Sequence, residues 1–68
     1  MTTLELHQLQ TIEREFDCKP NLITGFVTTM FPKKVSISLV CLEIKRNLNP
    51  IDSIIAQLFK IREKFLIA

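Results

Sequence analysis

Few side chains in this chain have the chemistry of catalysis. His7 is the one imidazole. It falls on the polar side of an amphipathic N-terminal segment, within helical reach of Thr3 and Thr11, with no aspartate or cysteine beside it. Glu13 and Glu15 are two residues apart, so on a helix they point in different directions and cannot work as a carboxylate pair. Cys18 and Cys41 have neither redox-pair nor zinc-ligand spacing. Cys41 sits inside Leu39-Val40-Cys41-Leu42 and reads as a small apolar core residue. At Cys18 a helix end raises the thiol pKa and Lys19 lowers it, so no activated thiolate follows. No glycine-rich phosphate loop and no nucleophile elbow is present. The expectation is a non-enzyme with no cofactor and no metal.

Basic residues form the next candidate site. Lys33 and Lys34 lie together, as do Lys45 and Arg46. On a strand, at about 3.3 Å per residue, the two pairs stand some 33 Å apart. They make one patch only if a second copy brings them together. Phe26 and Phe31 could stack bases if exposed on a sheet. A nucleic-acid-binding module using Lys33, Lys34, Lys45 and Arg46 is therefore the alternative reading. Ionic strength separates it from apolar binding, because only phosphate contacts weaken steeply with salt.

The last third of the chain carries the strongest signal. Ile51, Ile54, Leu58, Ile61, Phe65 and Ala68 recur at three- and four-residue steps, and Ile55, Phe59 and Leu66 form a second row beside them. Together they span roughly 160° of a helix, more than a one-faced helix needs. Arg62 falls inside this apolar arc, where a charge is costly unless paired or able to reach water. It reads either as a rim residue or as an interface arginine meeting Glu13, Glu15 or Asp17 of a partner. Phe59, Arg62, Phe65 and Leu66 are the expected contact residues.

Three segments must position these groups. Thr2 and Glu5 fit a capping box that opens a helix from about Thr3 to Phe16, with Leu6, Leu9, Ile12 and Phe16 as its stripe. Asp17-Cys18-Lys19-Pro20-Asn21 ends it. Leu22 to Phe31 and Val35 to Ile44 are rich in Ile, Val, Thr and Phe, a strand composition, and Phe31-Pro32-Lys33-Lys34 reads as a turn between them. Asn49 and Pro50 then open the last helix, with Asp52 in its first turn. The expected fold class is α+β: a helix–β-hairpin–helix with a two-stranded antiparallel sheet per chain, completed by dimerisation. The second strand is apolar on both faces, which calls for cover on both sides.

Size sharpens the assembly argument. Residues 1–68 are read as a single domain, and a chain this short buries only about 60% of the surface it exposes unfolded. Disulfides, metals and oligomerisation are the usual remedies. With two cysteines, one histidine and 47% apolar residues, oligomerisation is the remedy left. Residues 1–18 hold four acids and one base, the rest eight bases and three acids; opposite halves can attract within or between copies. No signal peptide or membrane span is read, and surface attachment to a membrane is disfavoured by the few bases beside the apolar face. The sequence thus reads as a cytoplasmic homodimer that binds another protein, as regulator, adaptor or inhibitor, through its apolar C-terminal helix and open sheet.

Overall fold

The computed structural model describes residues 1–66, and about 70% of them are helical. Four helices follow one another: α1 (Thr3–Glu15), α2 (Leu22–Met30), α3 (Ile37–Asn47) and α4 (Ile54–Leu66). Among the described residues there is no strand, so the α+β class, the hairpin and the sheet-edge dimer are all overturned.

The expected N-terminus is realised. The Thr2 hydroxyl accepts from the Glu5 amide at 3.1 Å, and the Glu5 carboxylate accepts from the Thr2 amide at 2.8 Å. Each side chain satisfies a donor that the first turn leaves free. At the other end Asp17 adopts a positive φ of 54°. Its amide donates to the Arg14 carbonyl, and the Cys18 amide donates to the Glu13 carbonyl at 2.8 Å. This is a Schellman closure, with an aspartate at the position glycine most often takes.

The first expected strand is helix α2. Its apolar residues Leu22, Ile23, Phe26, Val27 and Met30 do follow a helical step, but five β-branched residues in nine disguise it. Thr28 and Thr29 turn their hydroxyls back onto the Gly25 carbonyl, at 3.1 and 2.6 Å. What holds α2 in place comes from outside it. Asn21, at its N-terminus, has a positive φ and makes no side-chain cap. Glu13 of α1 does this instead: one carboxylate oxygen accepts from the Asn21 amide at 3.1 Å, the other from the Thr24 amide at 2.8 Å. Glu13 is 4% exposed. A negative charge at a helix N-terminus, hydrogen-bonded to free amides, satisfies both the dipole and the orphan donors.

The second expected strand is helix α3. Ile37, Val40, Cys41, Ile44 and Leu48 face the core, with Val40 and Ile44 fully buried. Of the residues expected on the two strand faces, Val40 and Ile44 join Ile37 and Cys41 on the core side of the helix, and Leu39 and Leu42 point outward. Ser36 caps the start and Lys45 and Arg46 occupy the last turn, where the dipole favours them.

The last helix is shorter than its sequence suggests. Asn49 does not cap it. Its side-chain oxygen accepts from the Ile51 amide at 3.0 Å, an Asx turn, and its backbone is clasped by the Gln57 side chain. The cap is Ser53, whose hydroxyl accepts weakly from Ala56. Ile51, the first expected seam residue, is 90% exposed in the turn. Ala68, the last, lies outside the described residues.

One cluster of buried apolar residues joins all four helices, from Leu9 and Ile12 to Leu58 and Ile61. The total accessible surface, 4704 Å², is near the roughly 4,400 Å² that size scaling gives a monomer of this mass. Each chain therefore closes its own core.

Glu13→Ala leaves two amides of α2 unpaired, each worth about 1–3 kcal/mol; urea unfolding followed by circular dichroism should show a loss of about 2–4 kcal/mol. A loss below 0.5 kcal/mol would remove the cap from this account. A second expectation concerns acid. The Thr2 backbone amide, then its hydroxyl, holds the Glu5 carboxyl below its ordinary value of 4.5. Stabilisation from this pair is present above the ordinary value and lost as pH falls through the lower folded one. A nuclear magnetic resonance titration should place the Glu5 midpoint below the ordinary value; a midpoint at or above it contradicts the capping box.

Candidate docking surface

Helix α4 divides its wide apolar arc between two jobs. Leu58 and Ile61 are buried, with Ile54 and Phe65 packed partly over the same core. The second row stays outside: Ile55, Phe59 and Leu66 remain 39%, 40% and 44% exposed. At 100° per residue this row and Arg62 share an arc of about 60°.

Four of the five phenylalanines run in a chain of edge-to-face contacts. Phe59 meets Phe26 at 5.0 Å, Phe26 meets Phe31 at 6.1 Å, and Phe31 meets Phe65 at 5.7 Å. Such contacts add to the burial of apolar area and fix ring orientation. They join α4 to Phe26 of α2 and to Phe31 just beyond it. Of the expected contact residues, Phe59 and Phe65 are thus partly engaged with their own core, and Leu66 is free on the surface.

Arg62 has a partner within the chain. Its Nε donates to the Met30 carbonyl at 2.6 Å, at the C-terminal end of α2. A cation there satisfies a free carbonyl and complements the dipole. The alternative of a pair with Glu13 of another copy is closed off, because Glu13 is buried against α2. Glu15 and Asp17 are exposed. The contribution of Glu13 was missed in the sequence because a cap supplied from eight and eleven residues upstream has no local signature.

A shallower groove lies between α3 and α4, lined by Leu39, Leu42, Glu43, Lys64 and Phe65. Lys64 and Glu43 bridge it at 3.5 Å. The basic candidates do not converge here. Lys33 and Lys34 precede α3, and Lys45 and Arg46 sit in its last turn, at opposite ends of a helix about 16 Å long. The outward ridge between them carries Leu39 and Leu42, an unfavourable lining for a phosphate backbone. Phe26 and Phe31 are buried in the core and unavailable for stacking.

Burial, then the Glu13 and Asp17 carboxylates, pushes Cys18 up; burial also pushes Cys41 up, against a smaller lowering by Lys45. Among the described residues no three potential metal ligands come together, and no helix is long and apolar enough to cross a membrane. No family model matches the chain, nor does any curated protein or solved structure.

Arg62→Leu should lower stability by about 1 kcal/mol through loss of a charged hydrogen bond at a part-exposed carbonyl. Leu66→Ser should stay within about 0.5 kcal/mol, as surface substitutions do. Dilute denaturation measurements of both variants check the contrast; equal losses would mean that Arg62 does not anchor α2.

Proposed function

We propose that this protein is a non-catalytic protein-binding module that acts as a homodimer, with the outward row of α4 as its contact surface. The observation that carries the reading is the exposed row Ile55, Phe59 and Leu66 on a helix that has already filled its own core with Leu58 and Ile61. Protein interfaces favour aromatic residues and arginine at their centre and exclude scattered charge. This row has both: Phe59 and Arg62 lie in the middle, between two aliphatic residues.

With no strand among the described residues, the proposed homodimer rests on helix packing alone. Two finished protomers dock; neither needs the other to close its core. A regulator or adaptor of this kind is placed in the cytoplasm as part of the same proposal, in keeping with two free thiols. The nucleic-acid reading has weaker support, because α3 separates its basic pairs by an apolar ridge.

Sedimentation velocity from about 1 to 200 μM should show a monomer–dimer equilibrium. Phe59→Asp, which buries an unpaired charge in the dimer but sits at a part-exposed site in the monomer, should weaken association at least tenfold while helicity persists. The chain has no Trp or Tyr, so absorbance near 260 nm beyond weak phenylalanine bands would betray bound nucleic acid. A monomer at 200 μM, or co-purifying nucleic acid released by salt, would overturn the proposal.

A further inference from the structure

The exposed row of α4 has an internal symmetry. Ile55, Phe59, Arg62 and Leu66 are spaced four, three and four residues apart, so the row reads the same in both directions about a point between residues 60 and 61. Resting on the homodimer reading above, we infer that α4 packs antiparallel on α4 of a second copy in this register, with each Phe59 over the partner's Arg62 and each Ile55 against the partner's Leu66.

Three observations select a second copy as the occupant. The first is the spacing. A four-three-four run is the narrow seam of two-stranded helix packing, and the arc of about 60° suits one partner helix. The second is chemical complementarity under reversal. Antiparallel pairing brings aliphatic to aliphatic and cation to aromatic, where a guanidinium over a phenylalanine ring is attractive. Parallel pairing would instead oppose Arg62 to its own copy. The third is the anchor on Arg62. Its Nε bond to the Met30 carbonyl ties the side chain to α2, so the guanidinium can cover a ring without giving up that polar partner. A two-fold axis makes the contact isologous, so it closes at two copies and builds no filament.

The geometry is compact. Ile55 and Leu66 are eleven residues apart, about 16 Å of helix. Both ends of the row are aliphatic, and Phe59, already held against Phe26 at 5.0 Å, is orientated before docking. Fixing a ring in advance lowers the ordering cost of association.

Disulfide trapping tests the register on the full chain. The background is Cys18→Ser; Cys41 stays, because it is buried and its thiol is raised by that burial. Chains carrying Ile55→Cys are mixed with chains carrying Leu66→Cys and mildly oxidised, after mass measurement confirms dimers and circular dichroism confirms the fold. The mixed disulfide should exceed the two symmetric ones at least fivefold, because it alone joins facing positions. Dominant symmetric disulfides would mean a parallel register and overturn the inference while leaving the homodimer intact. Dimers by mass with no disulfide in any mixture would move the interface off α4 and overturn the inference. Monomers by mass before oxidation, for the unsubstituted chain as well, would overturn the homodimer reading itself. Should either cysteine variant fail to fold, Phe59→Leu and Arg62→Lys supply a second test: each should weaken the dimer several-fold, and the pair together no more than the weaker single variant. Additive losses would exclude a direct Phe59–Arg62 contact between copies.

Discussion

Helix α2 sets the terms for the rest of the molecule. Its nine residues, Leu22 to Met30, contain no charge. A helix of this length leaves nearly as many backbone groups unpaired at its ends as it pairs within. It has no acid of its own for the N-terminus and no base for the C-terminus. Both are delivered from elsewhere: Glu13 of α1 takes two amides at one end, and Arg62 of α4 takes a carbonyl at the other. Those contacts dictate where α1 and α4 must lie. The Schellman turn at Asp17 follows from the same need, since α1 must stop just after Glu13 and reverse for Glu13 to meet the next helix. The phenylalanine chain then fills the space between α2 and α4.

This dependence explains what was legible in the sequence. The first helix was, because its signals are local: Thr2 and Glu5 cap it within three residues, and its stripe repeats at the helical step. The buried row of α4 was legible for the same reason. The middle of the chain was not. Ile23, Thr24, Val27, Thr28 and Thr29 are weak helix formers, and their composition is that of a strand. Their helical state rests on burial of Ile23, Phe26 and Val27 in the core and on two charged side chains, one at least eight residues upstream and one thirty-two residues downstream. Propensity is a weak prior where such contacts exist. In α3 the misreading had another cause. Val35, Ile37, Leu39 and Cys41 alternate, and Ile37, Val40, Cys41, Ile44 and Leu48 step helically; a run this apolar satisfies both periods. The serine at 36 and the basic pair at 45 and 46 were the discriminating signs, since a cap and a dipole-matched end belong to a helix.

Of the proposed contact surface, what was legible was membership of one helical arc. Phe59, Arg62, Phe65 and Leu66 do lie on one broad apolar surface of α4. The sequence treated them alike, as surplus, whereas the structure grades them. Phe65 and Phe59 lean on the core, Leu66 does not, and Arg62 is fastened to α2. The odd placement of a charge within an apolar arc was the sign that it had a partner; the partner is a backbone carbonyl, which no residue pattern can advertise.

Arg62 consequently joins two requirements that usually compete. An arginine at a contact surface ordinarily loses water when it docks and must find replacement partners, and this cost limits how much such residues add. Here one donor is already committed inside the protomer, so part of that desolvation occurs on folding and not on association. The four Nη N–H donors and the planar face of the guanidinium remain to meet a partner, and a planar cation is suited to an aromatic ring. The same bond ties the surface to the fold. If α2 shifts at its C-terminal end, Arg62 moves with it, and so does the centre of the exposed row. In the proposed dimer the contact surface therefore depends on the fold: the residue at its centre is fastened to α2, and α2 is capped by Glu13 of α1.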